Sequence, residues 1–301
     1  MRDTPAWHQA SLDYLNAAKN SGRLHHAQLI SGKVGVGKAL LAEHLSEGLL
    51  CLQPNGITPC GQCKSCSLNR SGNHPDKLLV ASEGKSIGVD EIREISDFAN
   101  HSAQQGGNKV ALIEQGHLMT HSAANALLKT LEEPNPGRYL IITSDDDSKL
   151  PATILSRCNK VVMHSPTHEQ AQQWLTQQGI ACDYPWFSEF ARQPLMVAKW
   201  HQQERFDEIT SLYQAAIQLT PESADVVEKI LLKNNDLSEV FARFVLNRVQ
   251  KALMHDNSID FSGYQSLVES VHRFMYEQKN VLGLNQHLSI SKLLFILQKL
   301  L

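Results

Sequence analysis

The stretch that most constrains this chain runs from Leu29 to Leu40: an apolar pair, then Ser31-Gly32-Lys33-Val34-Gly35-Val36-Gly37-Lys38-Ala39, then more apolar residues. It reads as strand, phosphate loop and helix. Gly32, Gly37 and Lys38 meet the pattern G-x-x-x-x-G-K, with Gly35 between them. Glycines let backbone N–H groups turn inward on phosphate oxygens, and the lysine reaches the terminal phosphates. The next position departs from the pattern. A nucleotide-hydrolysing loop carries Ser or Thr there, whose hydroxyl binds the Mg²⁺ bridging the β and γ phosphates, and Ala39 offers no oxygen. The loop therefore reads as built for phosphate without its metal ligand, against the plainer alternative of a glycine turn.

Downstream segments fit a parallel sheet. Leu78-Leu79-Val80, Lys109 to Gln115, Tyr139 to Ser144 and Lys160 to Met163 read as buried strands alternating with helical stretches, which predicts helices on both faces. The second of these runs ends in Glu114-Gln115, where a Walker-B strand delivers Asp then Glu beside the phosphate loop. Glu114 retains an acid for a metal, but a carboxamide cannot accept a proton from water, so Gln115 removes the general base. Thr143 and Ser144 fall at the C-terminal edge, where open α/β sheets bind ligands.

Cys51, Cys60, Cys63 and Cys66 hold four of the six cysteines within a short stretch. Their spacing suits four thiolates around tetrahedral Zn²⁺, a closed site that is structural and not catalytic. The alternative is scattered reduced thiols. Cys158 and Cys182 read as small buried side chains. The fourteen histidines, including His25-His26 and His117 with His121, lack ligand spacing and read as solvated or capping residues.

With 301 residues, two or three domains are expected. No apolar run approaches the roughly 18 residues of a membrane span, and Met1 to Pro5 lacks a signal peptide's apolar core, so a soluble cytoplasmic protein is expected. A formal charge of −3 argues against coating nucleic acid by bulk charge. Strand signals fade after His164, and residues 206–301 are almost all amphipathic helix. Composition shifts at Ser165-Pro166 and near Gln202 mark boundaries. The closing run Ile290 to Leu301 reads either as a last core helix or as a subunit contact.

Leu24-His25-His26-Ala27, the four-cysteine insert, Ala123 to Pro134 with its Leu131-Glu132-Glu133-Pro134 ending, and Ile154-Leu155-Ser156-Arg157-Cys158 together resemble the bacterial clamp-loader subunits of DNA polymerase III, a branch of the AAA+ superfamily. The resemblance covers residues 20–165 by motif, and the remainder by domain order. It implies an AAA+ α/β module over 1–165 with the zinc insert at 51–66, a small helical lid over 166–205, and a helical collar over 206–301. It also implies that Arg157 projects into a neighbouring subunit's ATP site as an arginine finger, a task suited to a planar, permanently charged fork. Leu195 falls where family members that use their own nucleotide carry a lid arginine, and Arg192 lies three residues away. Ala39, Gln115 and Leu195 point to the non-hydrolysing member, with weak or no ATP binding, working with gamma or tau and delta subunits, the sliding clamp and primer-template DNA. Two other readings remain at this point: a gamma-type ATPase using Glu114, and a zinc-dependent DNA-binding module. Against the module, the insert and its flank hold few cations, Lys64 and Arg70.

Overall fold

The computed structural model describes residues 4–82, 86–256, 261–281 and 283–300, so Met1–Asp3 of the N-terminal stretch and Leu301 of the closing run lie outside the described residues. The chain divides into two compact units, one formed by Met1–Ile180 with Phe190–Val197, the other by Ala181–Glu189 with Ala198–Leu301.

The first unit opens with helix α1 (Gln9–Asn20), then strand β1 (Ala27–Ser31), α2 (Lys38–Leu50), α3 (Lys64–Arg70), β2 (Lys77–Val80), α4 (Val89–Asn100), β3 (Lys109–Ile113), α5 (His121–Glu132), β4 (Arg138–Ser144), the single turn α6 (Ala152–Leu155), β5 (Asn159–Val162) and α7 (His168–Gln177). The five strands form one parallel sheet in the order β2-β3-β4-β1-β5. Register pairs Ser31 with Ser144 and Lys109 with Arg138. A parallel sheet needs cover on both faces, and its strands supply apolar residues to each in turn. Leu29, Ala111, Ile113, Leu140 and Ile142 join one core cluster with Ile92, Ile95 and Leu127 of α4 and α5. Ile30, Val110, Leu112 and Ile141 join the other with Leu41, Leu45 and Leu49 of α2. The expected α/β class is therefore observed, strand by strand.

The apolar stretch Trp186 to Trp200 resolves into two short helices, α8 (Phe187–Phe190) and α9 (Pro194–Gln202). Pro194 has no N–H to give a continuing helix and is preorganised to start one, which accounts for the break.

In the second unit, α10 (Phe206–Ile217), α11 (Pro221–Lys233), α12 (Ser238–Lys251), α13 (Phe261–Asn280) and α14 (Gln286–Leu300) pack as an all-helical body. Trp186 is fully buried there, edge-on to Phe206, and its indole N–H donates to Thr210 Oγ1 at 2.9 Å. Within α14, Ile290, Leu293, Leu294 and Leu297 are buried, so the closing run is a core helix on that face, while Leu288 and Phe295 stay exposed. Among the described residues, no helix is long and apolar enough to cross a membrane.

Candidate functional site

Parallel pairing of β1 with β4 and β5 sets the loop after β1 beside the ends of both neighbours: Gly32 N donates to Ser144 O at 3.2 Å, and Met163 N donates to Ser31 O at 2.7 Å. The loop then turns into α2 through Gly35 (φ 79°) and Gly37 (φ 96°), backbone conformations that favour glycine. Space excludes a side chain as well. A Cβ on Gly37 would meet His8 Nε2 and Leu195 Cδ1 at 2.6 Å, and one on Gly35 would meet Gln193 Cβ at 2.8 Å.

Lys38 opens α2 with its side chain folded back into its own loop. The ammonium donates to Gly32 O at 2.9 Å and Lys33 O at 2.6 Å, and pairs with Asp145 Oδ1 at 2.5 Å. These three acceptors match the three donors of the group. A phosphate reaching Lys38 would have to displace one of them.

The N-terminal segment and α9 close over the same loop. Trp7 Nε1 and His8 Nε2 both donate to Val36 O at 2.8 Å, and Leu195 N donates to Gly35 O at 3.2 Å. A carbonyl only accepts, so the His8 proton lies on Nε2, and its Nδ1 is buried without a hydrogen bond. Burial pushes the His8 pKa down, as does the charge of His44, against the Val36 hydrogen bond. Leu195 thus sits against the phosphate loop and presents an apolar side chain there, while Arg192 is exposed.

Glu114 follows β3, its N–H donating to Val80 O at 2.8 Å. Burial first, then the charge of Glu43, holds its carboxyl above the usual range, with Lys77 opposing. Gln115 is exposed in the left-handed region (φ 53°), and its N–H donates to Thr143 Oγ1 at 3.0 Å. The hydroxyl of Thr143 at the sheet edge therefore orients the turn that carries Gln115.

Arg157 follows α6. Its Nη2 pairs with Glu132 Oε1 at 2.7 Å, and its Nη1 donates to Thr153 O at 3.2 Å, with the two charged side chains 37% and 49% exposed. A pair of this exposure is worth about 0–1 kcal/mol, too little to keep the guanidinium from a stronger anion. Next to it, burial pushes the Cys158 thiol up to about 11, which keeps it protonated and inert.

The four clustered cysteines converge. Their Sγ atoms all lie within 4.8 Å of one another, with Cys51 to Cys66 at 3.7 Å and both Cys51 to Cys63 and Cys60 to Cys66 at 3.9 Å. Metal–sulfur bonds of about 2.3 Å in a tetrahedron place sulfurs roughly 3.8 Å apart, so the donor set fits a metal ion such as zinc. Backbone amides already prepare negative sulfur: Cys60 N donates to Cys51 Sγ at 3.2 Å and Cys63 N to Cys60 Sγ at 3.4 Å. Burial raises the Cys63 thiol, but the amides of Leu52 and Cys66 and the neighbouring thiols outweigh it and bring it down to about 6. Burial pushes Cys66 up to about 12. Among the described residues this is the one cluster of metal-type ligands.

The family described as DNA polymerase III, delta subunit, matches residues 7–167, more than half of the chain. The chain belongs to that family. Relatives similar to it include DNA polymerase III subunit delta' of Haemophilus influenzae, 41% identical over 172 residues, covering 57% of this chain and 51% of the relative. The delta' subunit of Escherichia coli is 40% identical over 174 residues, covering 57% and 52%. The tau/gamma subunit of Haemophilus influenzae is 37% identical over 167 residues, covering 54% of this chain and 24% of its own. This chain spans about half the length of the delta' relatives it matches. A solved structure of a DNA polymerase III gamma subunit-related protein from Thermotoga maritima aligns over 95% of this chain and 99% of its own, with TM-score 0.52 and 17% identity, which shows a shared fold. The family match spans the phosphate loop, the cysteine cluster, Glu114 and Arg157, whereas Leu195 lies beyond it.

The structure brings Gly32, Gly35, Gly37 and Lys38 together with Leu195 at one place, and sets the cysteines apart in their own insert. Sequence reasoning missed Asp145, whose signal was an acid directly after the strand end Thr143-Ser144. It also missed Trp7 and His8, which meet the loop at Val36 O.

Proposed function

We propose that this chain is a non-hydrolysing clamp-loader subunit of the delta prime type, helping to assemble the sliding clamp on primed DNA while its Arg157 serves a neighbouring ATPase subunit. The single observation that carries the reading is the closure of the phosphate loop by the chain's own groups. Lys38 is held by Asp145 and two carbonyls, and Leu195 and His8 pack against Gly37. Ala39 has no metal-binding oxygen, Gln115 has no basic carboxylate, and Leu195 supplies no charge. Each missing group belongs to a different step: metal placement, water activation and nucleotide sensing.

Arg157 supports the complementary half. Its weak, half-exposed pair with Glu132 leaves a guanidinium that can exchange one carboxylate for the γ-phosphoryl oxygens of a triphosphate presented by another subunit. On this reading the domains run 1–165, 166–205 and 206–301, the partners are gamma or tau and delta subunits, and the chain works in the cytoplasm. The four cysteines would hold zinc, which cross-links the end of α2 to α3 and supplies no chemistry of its own.

Nucleotide binding by the purified chain tests the reading. With Mg²⁺ and a fluorescent ATP analogue, binding weaker than about 1 mM and no phosphate release are expected. Magnesium-dependent turnover by the isolated chain would instead make it a gamma-type ATPase, and tight, salt-sensitive DNA binding by the chain alone would favour a zinc-dependent DNA-binding module.

A further inference from the structure

At the opposite edge of the sheet from the phosphate loop, a cavity of about 470 Å³ opens where β3 and β4 begin. That volume falls in the range of small-molecule sites. Its walls come from the end of α4, the end of α5 and the turn at Asn135, with Phe98, Tyr139 and Leu140 as the apolar part.

Lys109 lines this cavity, and its residue is only 4% exposed. Its ammonium sits 4.0 Å from the centroid of the Phe98 ring. Among the described residues no carboxylate or hydrogen-bond acceptor engages it. The charge of Asp76 favours the ammonium from beyond ion-pair contact, and the Asp76 oxygens accept from the amides of Gln104 and Gln105, both at 2.8 Å. Arg138, its register partner across the two strands, differs: its guanidinium caps the chain after α4, donating to Ala99 O at 3.1 Å and His101 O at 2.9 Å. A buried ammonium with no described carboxylate in contact, its charge balanced only through space by Asp76, therefore faces an open, partly aromatic cavity. Buried ammonium groups are ordinarily paired, since burial disfavours the charge. Burial does push the Lys109 pKa down, and Arg138 adds to this.

We propose that this cavity binds small organic carboxylates, with Lys109 as the ion partner and Phe98 and Tyr139 flanking the organic body. The charge balance selects a single negative charge. Lys109, Lys129 and Arg138 line the cavity against Asp97 and Glu133, an excess of one positive charge that one carboxylate matches and a dianionic phosphate exceeds. The half-apolar wall suits a body larger than acetate.

Sodium benzoate, sodium acetate and inorganic phosphate serve as probes for the full chain, followed by NMR of ¹³Cε-labelled lysine. Lys109→Met assigns the signal. Benzoate is expected to move the Lys109 resonance saturably, binding at least about 10-fold tighter than phosphate and tighter than acetate. Asn135→Trp, which adds bulk at an exposed lining residue, is expected to weaken benzoate binding several-fold, and it keeps the test open if Lys109→Met does not fold. Shifts that grow linearly and equally with all three anions would overturn the site as mere ionic screening. Tighter binding of phosphate than of benzoate would overturn the carboxylate assignment.

Discussion

Lys38 and Asp145 form an ion pair of 2.5 Å at the mouth of the phosphate loop, with only 8% and 21% of their side chains exposed. Removing one partner of so enclosed a pair leaves a charge without compensation, which costs about 3–5 kcal/mol in buried sites. Asp145→Asn is expected to lower stability in urea by about 3 kcal/mol, and the double variant with Lys38→Met to recover most of it. A loss below about 1 kcal/mol in the single variant would mean that the loop lysine does not depend on this carboxylate.

The cysteine cluster predicts bound zinc at about one ion per chain. Chelation or Cys63→Ser should lower the melting temperature and loosen the insert, because the segment from Cys51 to Cys66 contributes few buried apolar residues, Ile57 among them. Elemental analysis and thermal unfolding check this, and an unchanged transition after complete metal removal would contradict it.

His8 gives the seal over the loop a pH dependence. Its folded pKa lies below the ordinary 6.5, so in acid the unfolded chain takes up a proton that the folded chain refuses. Stability is therefore full above about 6.5 and falls as the pH drops toward the folded pKa. His26, His44, His74 and His117 are shifted the same way, burial being the first cause in each. Urea unfolding between pH 7.5 and 5 should show a clear decline, with a shallower slope in His8→Phe. A slope unchanged by that substitution would remove His8 from the account.

Glu114 works in the opposite sense. Burial and Glu43 hold its pKa above the ordinary 4.5, so the folded chain resists its ionisation, and stability is reduced as the pH rises through that range. Glu114→Gln should raise the melting temperature at pH 7, with the gain vanishing below about pH 4.5. A destabilised Glu114→Gln at pH 7 would show that the carboxylate is held by a partner and not merely tolerated.

Much of the sheet was legible because a two-sided parallel strand must be apolar throughout, and Val110 to Ile113 and Leu140 to Ile142 are. The cysteine site was equally legible, since its ligands are local in sequence. Contacts fixed by strand order were not. Asp145 reaches Lys38 only because β4 lies beside β1, and no local pattern announces that pairing. Arg157 and Glu132 were both visible within motifs, yet their mutual ion pair depends on how α6 returns against the end of α5. The seal by Trp7, His8 and Leu195 was hidden for the same reason, as three residues from distant segments meet at one loop.

The most direct measurement is the ATPase rate of a clamp loader reconstituted with gamma and delta subunits, clamp and primed DNA, comparing this chain with its Arg157→Ala variant. The exposed Glu132 pair means the variant should fold with stability within about 1 kcal/mol of the parent. A rate reduced about 10-fold or more is expected, through lost stabilisation of charge on a neighbour's phosphates. An unchanged rate in a fully assembled complex would contradict it.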